Sequence, residues 1–315
     1  MQAAHKPPGG ISGHSNISCI SIPKNKYPPG ELVGPPHFCY PKFHKNVYFE
    51  QTHDFTKCQK AGTMQGQLKK LEQYWSNRAE GYSMVNQEEL AGEQRIKWLH
   101  YLKTRFPDRS PEDISVLDIG TGPGFFAIIL AEAGYRVTAV DYTEEMLKQA
   151  RKNAGILADS IIWMTMDAQH LTFEDNQFDV IVTRNLTWNL DEPDRAYSEW
   201  HRVLKPGGTL LNFDANWYAY LFDEEKRCLY EKDRENVAKL NLEDQYTCTD
   251  IDTMEKLARN MPLTNILRPA WDYKVLSDLG FSSILIEEDM GDQVYSFMER
   301  INNAATPMFC IQACK

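Results

Sequence analysis

The residues with the most chemistry for their length are Asp118-Ile119-Gly120-Thr121-Gly122-Pro123-Gly124. Glycines at alternate positions permit positive φ and let a ligand approach the backbone, while the free N–H groups opening a helix point toward it. Asp141 follows Gly120 by 21 residues, the spacing at which an acid accepts hydrogen bonds from ribose hydroxyls in a nucleotide-binding βαβ unit. A second acid, Asp118, stands two residues before the first glycine. The loop reads GxGxG and then Phe125, so it lacks the third glycine of the dinucleotide fingerprint. The constellation implies nucleotide-type binding and disfavours a nicotinamide-dependent dehydrogenase.

Positioning these residues requires strands and helices in alternation. ISVLDIG (114–120), YRVTAVD (135–141), IIWMTMD (161–167), FDVIVTRN (178–185) and TLLNFDA (209–215) read as buried strands. Between them, 125–134, 143–155 and 194–208 read as helices stopped by glycine. Parallel neighbours require such crossovers, so the expected fold is α/β, a doubly wound, mostly parallel seven-stranded sheet. Its last two strands are SSILIEED (282–289) and PMFCIQAC (307–314), the final one antiparallel, with a helix over 293–302 between them. Upstream, 67–82 is an amphipathic helix with Leu68, Leu71, Tyr74 and Trp75 on one stripe. A second helix over 87–106 turns Leu90, Ile96, Leu99 and Leu102 inward. Residues 218–267 interrupt the rhythm with two helical stretches and 11 acidic against 7 basic residues. An insert after strand five emerges at the carboxyl edge of the sheet, where ligands bind.

Composition excludes several classes. The 315 residues carry a formal charge of −10, a pI near 5.4 and a mean hydropathy of −0.50, which argues against a general nucleic-acid binder. No apolar run reaches membrane-spanning length, and residues 1–20 hold no apolar core of signal-peptide length, so the chain reads as cytoplasmic. Residues 1–63 hold eight of the sixteen prolines and five of the eight histidines. They read as a disordered or loosely docked extension, with the domain over 64–315. His37, Cys39, His44, His53 and Cys58 match no metal-ligand register, and no CxxC pair exists, so no metal is expected. Cys310 and Cys314 share one face of a strand as free thiols.

The combined motifs resemble class I S-adenosylmethionine-dependent methyltransferases, particularly the small-molecule branch similar to ubiquinone/menaquinone-type enzymes. VLDIGTGPGFFAIILAEAGYRVTAVDYTEEML carries the first two motifs, MDAQHLTFEDNQFDVIVTRN the next two and EWHRVLKPGG the fifth. The resemblance covers roughly 70–217 and implies S-adenosylmethionine as cofactor. It places Gly120, Thr121, Gly122 and Gly124 along the methionine part, Asp141 on the ribose diol, and Tyr142 and Met146 beside adenine. Asp167 and the Ala168 N–H would read the adenine edge, and Asn185 would face the sulfonium end. Tyr74, Arg78 and Tyr82 resemble a helical segment that closes over the cofactor. Each has a plainer alternative: core anchors for the tyrosines, a solvated charge for Arg78, packing for Met146, and a turn cap for Asp167.

No general base stands out: His100, His170 and His201 read as structural or surface residues. Substrate-side candidates are Asn185, Trp188, Asp214, Trp217 and Tyr218, where NLTWNL and FDANWYAY place aromatics and amides at the carboxyl edge. These suggest a small-molecule acceptor that is aromatic or cationic, the alternative being that the rings pack the insert onto the sheet. Asp223, Glu224 and Glu225 read as a helix N-terminus. The reading is an enzyme transferring methyl from S-adenosylmethionine; a catalytically inactive cofactor-binding scaffold is the alternative. Neither the acceptor nor the oligomeric state is legible.

Overall fold

Near-continuous apolar runs bury both faces of the central strands, and helices cover them. The computed structural model describes residues 61–246 and 249–315, with side chains from Gly66 onward. The extension before residue 61, with its His and Cys grouping, lies outside the described residues. The strands are β1 (Ser115–Ile119), β2 (Arg136–Asp141), β3 (Ile162–Thr165), β4 (Phe178–Arg184), β5 (Leu204–Asp214), β6 (Ser283–Glu287) and β7 (Phe309–Cys314). They form one sheet in the order β3-β2-β1-β4-β5-β7-β6. β7 runs antiparallel to both β5 and β6, and the other pairs are parallel. The expected doubly wound fold is therefore present. Its strand order reverses between β1 and β4, which opens a crevice beyond their carboxyl ends.

On one face Val116, Val180, Val182 and Phe213 pack under α2 (Gln94–Lys103) and α3 (Phe125–Glu132). On the other, Leu117, Ile119, Ile181 and Leu210 meet α5 (Pro193–Val203) and α8 (Ala270–Asp278). Alternate residues of β1 and β4 thus serve different layers, as a pleated strand requires. α4 (Glu144–Ala154) follows β2, and the excursion after β5 contains α6 (Glu224–Lys239) and α7 (Ile251–Ala258). Asp223 caps α6 by accepting from Lys226 N at 3.0 Å, which accounts for the acidic run there. α7 closes over α1 (Ala61–Ala91): Met254, Leu257 and Met261 pack on Leu71 and Tyr74.

Three element boundaries differ from the sequence expectation. The first helix is continuous from Ala61 to Ala91 and breaks at Gly92, rather than between Tyr82 and Gln87. Ser83 and Gln87 continue it because both bond Asn153 of α4. The later break changes the phase of α2, so Ile96 is exposed while Trp98, Tyr101 and Leu102 turn inward. α5 stops at Val203, and the Lys205–Gly208 run begins β5 instead of closing the helix. Pro206 lacks a helical donor, Gly207 takes φ +75°, and Gly207 and Gly208 exchange backbone bonds with Lys315. The helix expected over 293–302 is two: α9 (Gly291–Val294) and α10 (Phe297–Asn302). A reciprocal Ser296–Glu299 capping box starts the second, and such local bonds compete with helix continuation.

Candidate active site

A cavity of about 370 Å³ occupies the crevice beyond β1 and β4, within the usual range for small-molecule sites. Its floor is the loop after β1. Gly120 N and Thr121 N both donate to Val140 O, at 2.9 and 3.0 Å. Asp118 lies beneath, its Oδ2 accepting from Thr121 Oγ1 at 2.6 Å and from Ala127 N at 3.0 Å. Burial pushes this carboxyl up to about 7, against those two hydrogen bonds. Asp118 is therefore the pin that joins loop to helix. Gly120 needs its φ of +67°, and a Cβ there would meet Leu186 at 2.9 Å. Gly124 takes φ +94° and lies outside the lining; a Cβ on it would meet Ala150 Cβ at 3.0 Å. It allows the loop to pack closely against α4.

Asp141 ends β2 facing the same loop. Its Oδ2 accepts from Gly122 N at 2.8 Å and its Oδ1 from Thr143 N at 2.9 Å. Burial pushes the carboxyl up to about 6, with those two N–H groups opposing. Tyr142, Met146, Asp167 and Ala168 continue the wall. The Asp167 carboxylate already accepts from Gln169 N at 2.9 Å and sits 3.1 Å from His170 Nδ1, so it also acts as a turn cap. His201 packs edge-on against Phe281, and His100 is exposed.

Tyr74, Arg78 and Tyr82 recur every fourth residue on α1 and all line the cavity, as helical spacing dictates. Trp75, between them, lies 5.3 Å from the Tyr74 ring and 5.9 Å from Tyr82. At the opposite end Asn185 sits at φ +59°, where its backbone O accepts from Trp188 Nε1 at 3.0 Å. Trp188, Trp217 and Tyr218 join it in the lining, the Trp188 and Tyr218 rings 5.0 Å apart.

Asp214 is not part of that lining. It is fully buried behind the wall, and its carboxylate accepts from Trp188 N at 2.9 Å and Trp217 Nε1 at 3.2 Å. Its counter-ion is Arg268 at 2.6 Å, which also binds Asp272 at 2.7 Å. A solvent-free carboxylate needs a cation and donors on every side, so Asp214 holds the two tryptophans and does not meet a substrate. The Asn216 amide and the Arg268 backbone exchange bonds of 3.0 and 3.4 Å. These bonds clasp the two ends of the insert together.

The sequence reading missed the polar side of the cavity. Arg184, adjacent to Asn185, forms a two-pronged ion pair with Glu89 of α1 at 2.8 and 2.9 Å. It also lies 4.7 Å from the Phe125 ring. Burial opposes its charge, but Glu89 outweighs that and holds the guanidinium above its ordinary range. Tyr295 and Glu299, from the β6–β7 connection, line the same space. Five cavity-lining side chains carry buried polar atoms with no hydrogen-bond partner: Trp75 Nε1, Asn86 Oδ1, Asn185 Oδ1, Asn189 Oδ1 and Tyr295 OH. Buried polar groups are normally paired. All five side chains line this one cavity.

Residues 117–212 match the family described as Methyltransferase domain. The chain is 34% identical over 157 residues to the ubiquinone/menaquinone biosynthesis C-methyltransferase UbiE of Roseobacter denitrificans, covering 49% of this chain and 59% of that protein. It is 31% identical over 135 residues to the enzyme of that name from Desulfotalea psychrophila, covering 42% and 53%. The chain thus spans little more than half the length of these relatives. Among solved structures, a candidate S-adenosyl-L-methionine-dependent methyltransferase from Methanococcus maripaludis shares the fold. It has a TM-score of 0.51 and 23% identity over 76% of this chain and 93% of that one. Residues 117–212 therefore carry a methyltransferase domain, similar to that of the UbiE enzymes. Among the described residues no helix is long and apolar enough to cross a membrane, and no group of three or more ligands could hold a metal ion.

Proposed function

We propose that the whole chain transfers the methyl group of S-adenosylmethionine to a small-molecule acceptor with an aromatic body or a cationic group. When bound, the cofactor supplies an electrophilic methyl on a sulfonium, so the protein's task is alignment of donor and acceptor. Asp141 would hold the ribose hydroxyls, Asp167 and Ala168 the adenine edge, and Asn185 the sulfonium end. Tyr74, Arg78 and Tyr82 would cover the bound molecule and exclude water. The observation that carries this reading is the convergence of unpaired polar atoms on the glycine-loop cavity.

The tryptophans and tyrosines on the acceptor side support the choice of acceptor, since rings can stack on a planar molecule or face a cation. Isothermal titration with S-adenosylmethionine and S-adenosylhomocysteine, followed by an acceptor screen for S-adenosylhomocysteine release, tests the reading. Saturable binding and release with one acceptor are expected. Absence of binding at high micromolar ligand defeats it, and binding without turnover on any acceptor leaves only a cofactor-binding scaffold.

A further inference from the structure

The β6–β7 connection reaches the cavity with two groups, Tyr295 and Glu299, to which the cofactor reading gives no contact. Glu299 is mostly buried, and its two N–H donors, Ser296 N at 2.7 Å and Gln94 Nε2 at 2.6 Å, both fall on Oε2. No Lys, Arg or His among the described residues forms an ion pair with it. Arg184, the nearby cation, is already matched by both oxygens of Glu89. The group of Glu89, Arg184 and Glu299 therefore has two carboxylates for one guanidinium. Burial raises the Glu299 carboxyl and Glu89 adds to that, while the Ser296 hydrogen bonds and the Arg184 charge oppose.

Tyr295 supplies a second observation at this corner. It is 8% exposed and lines the cavity, and its hydroxyl has no partner. Burial keeps that phenol protonated, well above its ordinary range. An N–H donor entering this corner would satisfy the phenol oxygen and meet the Glu299 carboxylate, and an ammonium would bring a second positive charge to the two carboxylates. A carboxylate or phosphate would instead add a third anion to the corner. The aromatic walls formed by Tyr82, Trp188 and Tyr218 favour a cation as well.

We propose that Glu299 and Tyr295 anchor the methyl acceptor, and that the acceptor is an amine-bearing molecule whose ammonium group sits against the Glu299 carboxylate and the Tyr295 hydroxyl. This rests on the methyltransferase reading and adds the acceptor's chemical class and the residues that select it. The anchor fixes the acceptor's orientation, whichever atom receives the methyl.

The test uses the full chain saturated with S-adenosylhomocysteine and three matched probes: 2-phenylethylamine, 2-phenylethanol and phenylacetate. Binding is read by fluorescence of Trp75, Trp188 and Trp217, which line the cavity. The amine is expected to bind about tenfold or more tightly than the alcohol, with phenylacetate weaker still, since a site with buried polar groups rejects analogues that leave them unpaired. Glu299→Gln should remove that preference while S-adenosylhomocysteine affinity stays within about twofold. Tyr295→Phe, which deletes only the unpaired hydroxyl, should weaken the amine several-fold with the fold intact. Equal binding of amine and alcohol, preference for phenylacetate, or an amine preference that survives both substitutions overturns the anchor. Failure of S-adenosylhomocysteine itself to bind defeats the underlying methyltransferase reading as well, and is distinguished because it is measured first.

Discussion

Replacing Asp141 by Ala removes the carboxylate that faces the glycine loop, and the structure sets both the size and the pH signature of the loss. The carboxylate accepts from Gly122 N and Thr143 N, which leaves acceptor capacity for a ribose hydroxyl. Loss of a buried charged acceptor costs about 1–3 kcal/mol, which is roughly 5–150-fold in the dissociation constant. Burial places the Asp141 carboxyl at about 6, so about nine tenths of it is ionised at pH 7 and about one tenth at pH 5. Wild-type affinity for S-adenosylhomocysteine should therefore fall about tenfold from pH 7 to pH 5, while the variant stays flat. That ligand has no group titrating in the window, so the slope belongs to the protein. Isothermal titration at pH 5, 6, 7 and 8 measures it, with circular dichroism confirming that the variant folds. Unchanged affinity in Asp141→Ala, or a flat wild-type profile, would refute the assignment of the ribose to this residue.

Three further outcomes follow from the geometry. Arg268→Met leaves Asp214 and Asp272 buried without their cation; a loss of about 3–5 kcal/mol is expected, seen as a melting temperature lower by roughly 6–20 °C. A fall of under about 1 kcal/mol would show that the network is not a brace. Gly124→Ala must hold φ +94° and push Ala150 aside; it should destabilise by about 2–3 kcal/mol in urea unfolding. Asp118 has its folded value raised to about 7, so its stabilising contribution is fully present below about pH 4 and is lost as pH rises through 7. Asp118→Asn should accordingly gain stability relative to wild type between pH 5 and pH 8, and urea melts at the two values check the sign.

Local pattern carried the sheet, because the central strands are apolar runs and helices such as α3 and α4 run between them up to a glycine. It carried the glycine loop and Asp141 too, since their spacing along the chain is itself the signal. The polar corner was illegible for a different reason. Glu89 and Arg184 stand 95 residues apart, and Gln94 and Glu299 are 205 apart, and no short-range period joins such partners. Arg184 left one trace, a charge at the end of an otherwise apolar strand beside Asn185. Asp214 misled because its position at a strand's carboxyl end is right for a ligand, whereas its buried partner Arg268 lies 54 residues on. The break at Gly92 was missed because the polar residues before it, Ser83 and Gln87, are kept helical by Asn153 on another element.

The clasp between Asn216 and Arg268 gives the insert a closed stem: the chain leaves the sheet and returns at one riveted point. What lies between those residues is tied instead to α1 and to the β6–β7 connection, through Leu257 on Leu71 and Arg234 on Asn302. A change in the insert is therefore felt at the helix over the cavity before it reaches the sheet, whose edge the clasp holds fixed.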